Sequence, residues 1–143
     1  MRPKIATMAL VLATGAAAGA QAQRAPCVAR AELSGVVNRG TAEYLATALD
    51  ETEARGCEAL LVVIDTPGGE LEATRRIVGS FLRARVPVVA YVAPSGARAG
   101  SAGMFVTMAA HVAAMTPAST IGAAHPVVAG GRDPEALGEE LGR

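Results

Sequence analysis

Ala59-Leu60-Leu61-Val62-Val63-Ile64-Asp65-Thr66-Pro67-Gly68-Gly69 sets the expected architecture of this chain. Six apolar residues in succession, half of them β-branched, read as a strand buried on both faces, the usual signature of a parallel sheet covered by helices. Pro67 and the two glycines stop that strand, and glycine lets backbone N–H groups approach a ligand closely. Downstream, Glu70 to Arg85 has the spacing of an amphipathic helix burying Leu71, Thr74, Val78, Phe81 and Leu82. Val86 to Val92 is a second buried strand, cut off by Pro94. Upstream, Thr41 to Arg55 places Tyr44, Leu45, Ala48, Leu49 and Thr52 on one helical face, with Gly56 as a natural C-cap. Val28 to Val37 reads as a first strand region with a bend at Ser34-Gly35.

A third helix is expected in the apolar run from Phe105, followed by a short strand at Val112 to Met115. Strand and helix therefore alternate, which implies an α/β domain with a largely parallel sheet. In such sheets the functional loops gather at the carboxyl ends of the strands. Two small-residue loops follow buried strands here: Pro67-Gly68-Gly69, and Pro94-Ser95-Gly96-Ala97-Arg98-Ala99-Gly100-Ser101-Ala102-Gly103-Met104. They are expected to converge on one pocket. Ser101, between glycines at a strand-to-helix passage, has two readings: a helix N-cap, or a nucleophile on a tight turn with N–H donors nearby.

The first 22 residues form a separate segment. Arg2 and Lys4 make a basic n-region, Ile5 to Ala18 an uncharged apolar h-region, and Ala20-Gln21-Ala22 a small-residue cleavage site. This pattern predicts a signal peptide cut before Gln23, with an uncleaved anchor as the alternative. The 121 residues from 23 to 143 suffice for one domain, and carry 11 basic against 13 acidic side chains. A slightly acidic surface with two Phe and two Tyr offers nothing for nucleic acid. Cys27 and Cys57 survive leader removal, and export makes them a disulfide candidate.

Asp65-Thr66-Pro67-Gly68-Gly69, the strand Val86 to Val92, the serine loop, and Met115-Thr116-Pro117-Ala118-Ser119-Thr120-Ile121-Gly122-Ala123-Ala124-His125-Pro126-Val127 together resemble the NfeD-type membrane serine proteases, partners of stomatin-like proteins. These belong to the Clp protease/crotonase superfamily. The likeness runs from about Val28 to Val128 and implies a spiral of strand-strand-helix units. Ser101 then matches the nucleophile, and Gly68 or Gly69 together with Ala102 match the N–H donors of the oxyanion hole. Acyl transfer concentrates negative charge on the carbonyl oxygen, which such preorganised donors stabilise. The resemblance further implies a homodimer or larger assembly, protein or peptide substrates drawn from apolar segments of membrane-associated proteins, and a periplasmic or membrane-associated location. It implies no cofactor.

The sequence departs from that family in its general base. The family pattern is a Ser-Lys dyad with the lysine a few tens of residues beyond the serine, whereas the only lysine here is Lys4. The domain over 23–143 therefore reads as incomplete at its C-terminus, and inactive unless another base serves. His125, 24 positions after Ser101, is the remaining base candidate, with Asp133 as the only nearby acid to orient it. His111 is expected to be a satisfied helix residue, and the two histidines make no metal site. Met104, Met108 and Met115 are read as core filling, and Asp65 as a turn-former. Two other functions compete: a non-catalytic exported module that holds a stomatin-like partner, and a crotonase-like acyl-thioester enzyme, which export disfavours.

Overall fold

The computed structural model describes residues 26–123. Within them lie β1 (Val28–Ser34), α1 (Arg39–Arg55), β2 (Ala59–Asp65), α2 (Leu71–Leu82), β3 (Val88–Val92), β4 (Arg98–Gly100), α3 (Ala102–Met108), β5 (Val112–Met115) and β6 (Thr120–Gly122). A four-stranded sheet has the order β1-β2-β3-β5, and β4 pairs with β6 in a second, two-stranded sheet. Every pairing is parallel. The leader, His125 and Asp133 lie outside the described residues.

Local chemistry accounts for the helix boundaries. The Asn38 side chain accepts the Thr41 N–H at 3.0 Å, and the Thr41 hydroxyl accepts the Asn38 N–H at 2.8 Å, a reciprocal cap that starts α1. Gly56, at φ 68°, closes α1 in the left-handed conformation that glycine adopts without strain. α2 stops at Leu82, short of the expected Arg85, because the Arg85 N–H donates to the Glu53 carboxylate at 2.7 Å instead of extending the helix. Pro87 cannot donate, so β3 begins at Val88 rather than Val86, while the Pro87 carbonyl accepts the Leu60 N–H at 2.9 Å. α3 ends at Met108. His111 lies beyond it and not in a helix: its N–H donates to the Val88 carbonyl at 2.9 Å, and its Nδ1 accepts the Val88 N–H at 3.1 Å.

Burial along the strands departs from the expectation of two covered faces. Leu60, Val62 and Ile64 are fully buried, while Leu61 and Val63 remain partly exposed, and β3 alternates in the same way. The cause is topological. Each crossover advances the sheet in one direction, and right-handed connections that all advance the same way place α1, α2 and α3 on the same face. The core accordingly lies between that face and the helices, around Leu33, Leu45, Leu60, Ile64, Ile77, Phe81 and Val106.

The inward face of α2 is Ala73, Thr74, Ile77 and Phe81, whereas Leu71 and Leu82 are exposed. Since α2 lies against both α1 and α3, its inner stripe takes a small residue where the outermost leucines were expected. On α1, Ala42 takes the buried place expected for Tyr44, whose hydroxyl instead accepts the Glu32 N–H of β1 at 3.3 Å. Met108 and Met115 are 67% and 46% exposed, so neither fills the core. Cys27 and Cys57 are joined by a disulfide with a Cα–Cα distance of 4.7 Å, tying the start of β1 to the turn between α1 and β2.

Candidate active site

Three segments meet at the carboxyl end of β2. Thr66 continues β2 into a parallel bridge with Ala99, in which the Thr66 N–H donates to the Arg98 carbonyl at 2.7 Å and the Gly100 N–H to the Thr66 carbonyl at 2.9 Å. β6 joins from the other side of β4, with the Ser101 N–H donating to the Gly122 carbonyl at 2.7 Å. Asp65 reinforces this junction, its Oδ1 accepting the Arg98 N–H at 3.1 Å. The two loops expected to converge are therefore in contact.

Their approach is close because side chains are missing where the backbones meet. A Cβ on Gly68 would stand 2.6 Å from the Ser101 Cβ and 3.2 Å from its Oγ. One on Gly100 would stand 2.9 Å from the Pro67 carbonyl oxygen, and one on Gly103 would stand 2.5 Å from the Thr66 methyl. Gly69 is held on another side, bridged to Val37, where a Cβ would overlap the Val37 backbone. Glycine at each position is thus a packing requirement, and at Gly68 the φ of 116° adds a conformational one.

Ser101 sits immediately before α3 with φ 47° and ψ −111°, a region sparsely populated by residues other than glycine. Its side chain caps no helix N–H, which removes the N-cap reading. A half-buried serine held on a strained strand-to-helix turn matches the arrangement that exposes a nucleophilic hydroxyl.

The three neighbouring N–H groups differ in occupancy. Gly68 donates to the Thr66 hydroxyl at 3.0 Å. The N–H groups of Gly69 and of Ala102, the first residue of α3, have no hydrogen-bond acceptor among the described residues. A cleft of about 270 Å³ runs between Pro67, β4 and β6 to Ala123. Its lining carries one charged side chain, Arg98, and is otherwise uncharged.

Sequence reasoning missed three parts of this site: Thr66, β4 and β6. The signal for Thr66 was present, because a hydroxyl residue just before Pro-Gly-Gly can bond the backbone two residues on. β4 and β6 are three residues each and rich in glycine and alanine, too short for an alternating pattern.

A parallel sheet with helices on one face, a small second sheet and a strained serine before a helix define a Clp protease-like α/β domain. The same fold appears in a mutant ClpP1 from Listeria monocytogenes, with TM-score 0.62, 20% identity, and 79% of this chain and 62% of that one covered. The chain belongs to the NfeD1b N-terminal domain family, whose profile matches residues 27–137. It is similar to the membrane-bound protease PH1510 of Pyrococcus horikoshii, 34% identical over 98 residues. That match covers 68% of this chain and 22% of the relative, so the chain spans less than a quarter of that protein's length.

Among solved structures, it resembles the 1510-N membrane protease specific for a stomatin homolog, also from Pyrococcus horikoshii. The TM-score is 0.66 with 33% identity, covering 70% of this chain and 50% of that one. A lysine-to-alanine mutant of the 1510-N stomatin-specific protease, in complex with a substrate peptide, matches with TM-score 0.73 and 30% identity, covering 81% and 56%.

Proposed function

We propose that this chain is a serine endopeptidase-like domain acting on apolar segments of membrane-associated proteins. The observation that carries the reading is Ser101, strained before α3 and packed against a glycine it excludes from having a side chain, with two unengaged N–H groups close in sequence to that contact. In the proposed reaction the Ser101 Oγ attacks a peptide carbonyl carbon and its proton passes to a base. The N–H groups of Gly69 and Ala102 hold the oxyanion, the amine leaves with a proton, and water releases the acyl group. His125, 24 positions after Ser101 and carrying an imidazole competent as a base near neutral pH, is the base we assign.

Kinship with a stomatin-specific membrane protease supports a protein substrate. A stomatin-like membrane protein is the partner we propose for this chain, together with self-association and an exported, periplasmic or membrane-associated site of action. Among the described residues no helix is long and apolar enough to cross a membrane. The alternative reading is a non-catalytic exported module that binds the same partner without cleaving it.

The test is cleavage of an apolar peptide by the chain, compared with Ser101→Ala and His125→Ala. Loss of cleavage in both variants supports the protease and its base, and loss with Ser101→Ala alone reassigns the base. An unaltered, folded chain that binds the peptide without cutting it would support the interaction module instead.

A further inference from the structure

We propose that Thr66 is a positioning residue that determines which glycine of the Pro67-Gly68-Gly69 turn offers its N–H to the oxyanion. The proposal rests on the reading of Ser101 as nucleophile. Thr66 is completely buried. Its hydroxyl donates to the Gly35 carbonyl and accepts the Gly68 N–H at 3.0 Å, with the Gly68 carbonyl oxygen at a longer 3.4 Å. A hydroxyl has a single hydrogen, so donation to Gly35 fixes its lone pairs toward Gly68.

The rest of Thr66 is held as firmly. Its backbone is bonded to Arg98 and Gly100, and its methyl occupies the space where Gly103 lacks a Cβ. The Gly68 carbonyl in turn accepts the Val37 N–H at 2.8 Å. Gly68 therefore has both backbone polar groups engaged while its bare Cα faces Ser101, which makes it a spacer. Gly69 is left with an N–H that no described residue accepts, and with Ala102 it completes a donor pair. Without the hydroxyl, the buried Gly68 N–H and the carbonyl of exposed Gly35 lose their partner, and the turn loses the bond that fixes its N–H directions. Misplacement of an oxyanion donor by about 1 Å is enough to cost on the order of a hundredfold in rate.

Isotope-labelled full chain, as Thr66, Thr66→Ser and Thr66→Val, would be followed by amide NMR, alone and with an apolar peptide boronic acid, which forms a tetrahedral adduct on a reactive serine hydroxyl. Three results are expected. The Gly68 amide is protected from exchange about a hundredfold in the threonine and serine forms, and not in the valine form. The boronate moves the Gly69 and Ala102 amides and leaves Gly68 in place. Boronate affinity falls about tenfold or more in Thr66→Val and stays within about threefold in Thr66→Ser.

Fast exchange at Gly68 in the folded threonine form would overturn the proposal. So would a boronate response at Gly68 in place of Gly69, or an equal loss of affinity in both variants. Should Thr66→Val fail to fold, the threonine and serine forms decide by the same amide criteria. A chain that binds no boronate overturns the nucleophile reading instead. In that case Gly68 protection in both hydroxyl forms still upholds the control of Gly68 by Thr66, and its absence overturns that too.

Discussion

The helix-covered face of the sheet and the loop cluster at its carboxyl end are both closely packed, but they are held by opposite means. On the covered face, large side chains fill space: Phe81, Leu33, Leu60 and Ile77 are buried and interlock between α1, α2 and the strands. In the cluster, space is closed by leaving side chains out, so that the backbone of 66–68 lies directly on 98–101. The first kind of packing loses stability when atoms are removed. The second loses it when a single methyl is added, and it brings the Gly68 backbone up against Ser101, as side-chain packing would not.

The largest effect expected from this contrast is on the covered side. Phe81→Ala, which empties a fully buried site, should cost about 3–5 kcal/mol in denaturant unfolding. A loss below about 1 kcal/mol would mean that the core does not rest on Phe81. In the cluster, Gly103→Ala should cost about 1–3 kcal/mol, because the new methyl meets the Thr66 methyl. Thr66→Ser in the same chain should recover most of that loss, since it removes the opposing atom. Additive effects in the double mutant would break the account of closure by omission.

Ser101→Gly should have the reverse sign. Relief of a backbone conformation unfavourable to serine should stabilise the fold by roughly 1 kcal/mol while removing the hydroxyl. A destabilised Ser101→Gly would show that the turn is not strained.

The smallest effect concerns the link between α1 and the start of β3. The Arg85 N–H, and then its guanidinium, hold the Glu53 carboxyl below the usual carboxylate range. A carboxyl with a lowered folded pKa stabilises above its unfolded pKa, and that contribution is lost as pH falls through the folded value. Glu53→Gln should therefore flatten the decline of stability with acid below about pH 4.5. An unchanged acid limb would show that the pair contributes nothing.

The same contrast explains what could be read in advance. Ala59 to Ile64 and Thr41 to Arg55 carry dense apolar patterns of fixed period, and β2 and α1 follow them closely. The glycine motifs identified the two loops because turn chemistry is local. Which sheet face would be covered was not legible, since it depends on the direction of successive crossovers rather than on any strand's own composition. The phase of α2 was misread for a related reason: Ala73 is buried by its neighbours and Leu71 is not. Within the site, Ser101 and the glycines stood out by type. The division of labour between Gly68 and Gly69 did not, because it is set by Thr66 through contacts with Gly35, 31 residues away in the chain.

The most direct test of the central claim, that the cluster exists to present Ser101, is covalent labelling of the folded chain with a fluorophosphonate followed by peptide mapping. The account predicts a single phosphonylated serine, Ser101, and no label in Ser101→Ala. Label on another serine, or none on a chain shown to be folded, would contradict it.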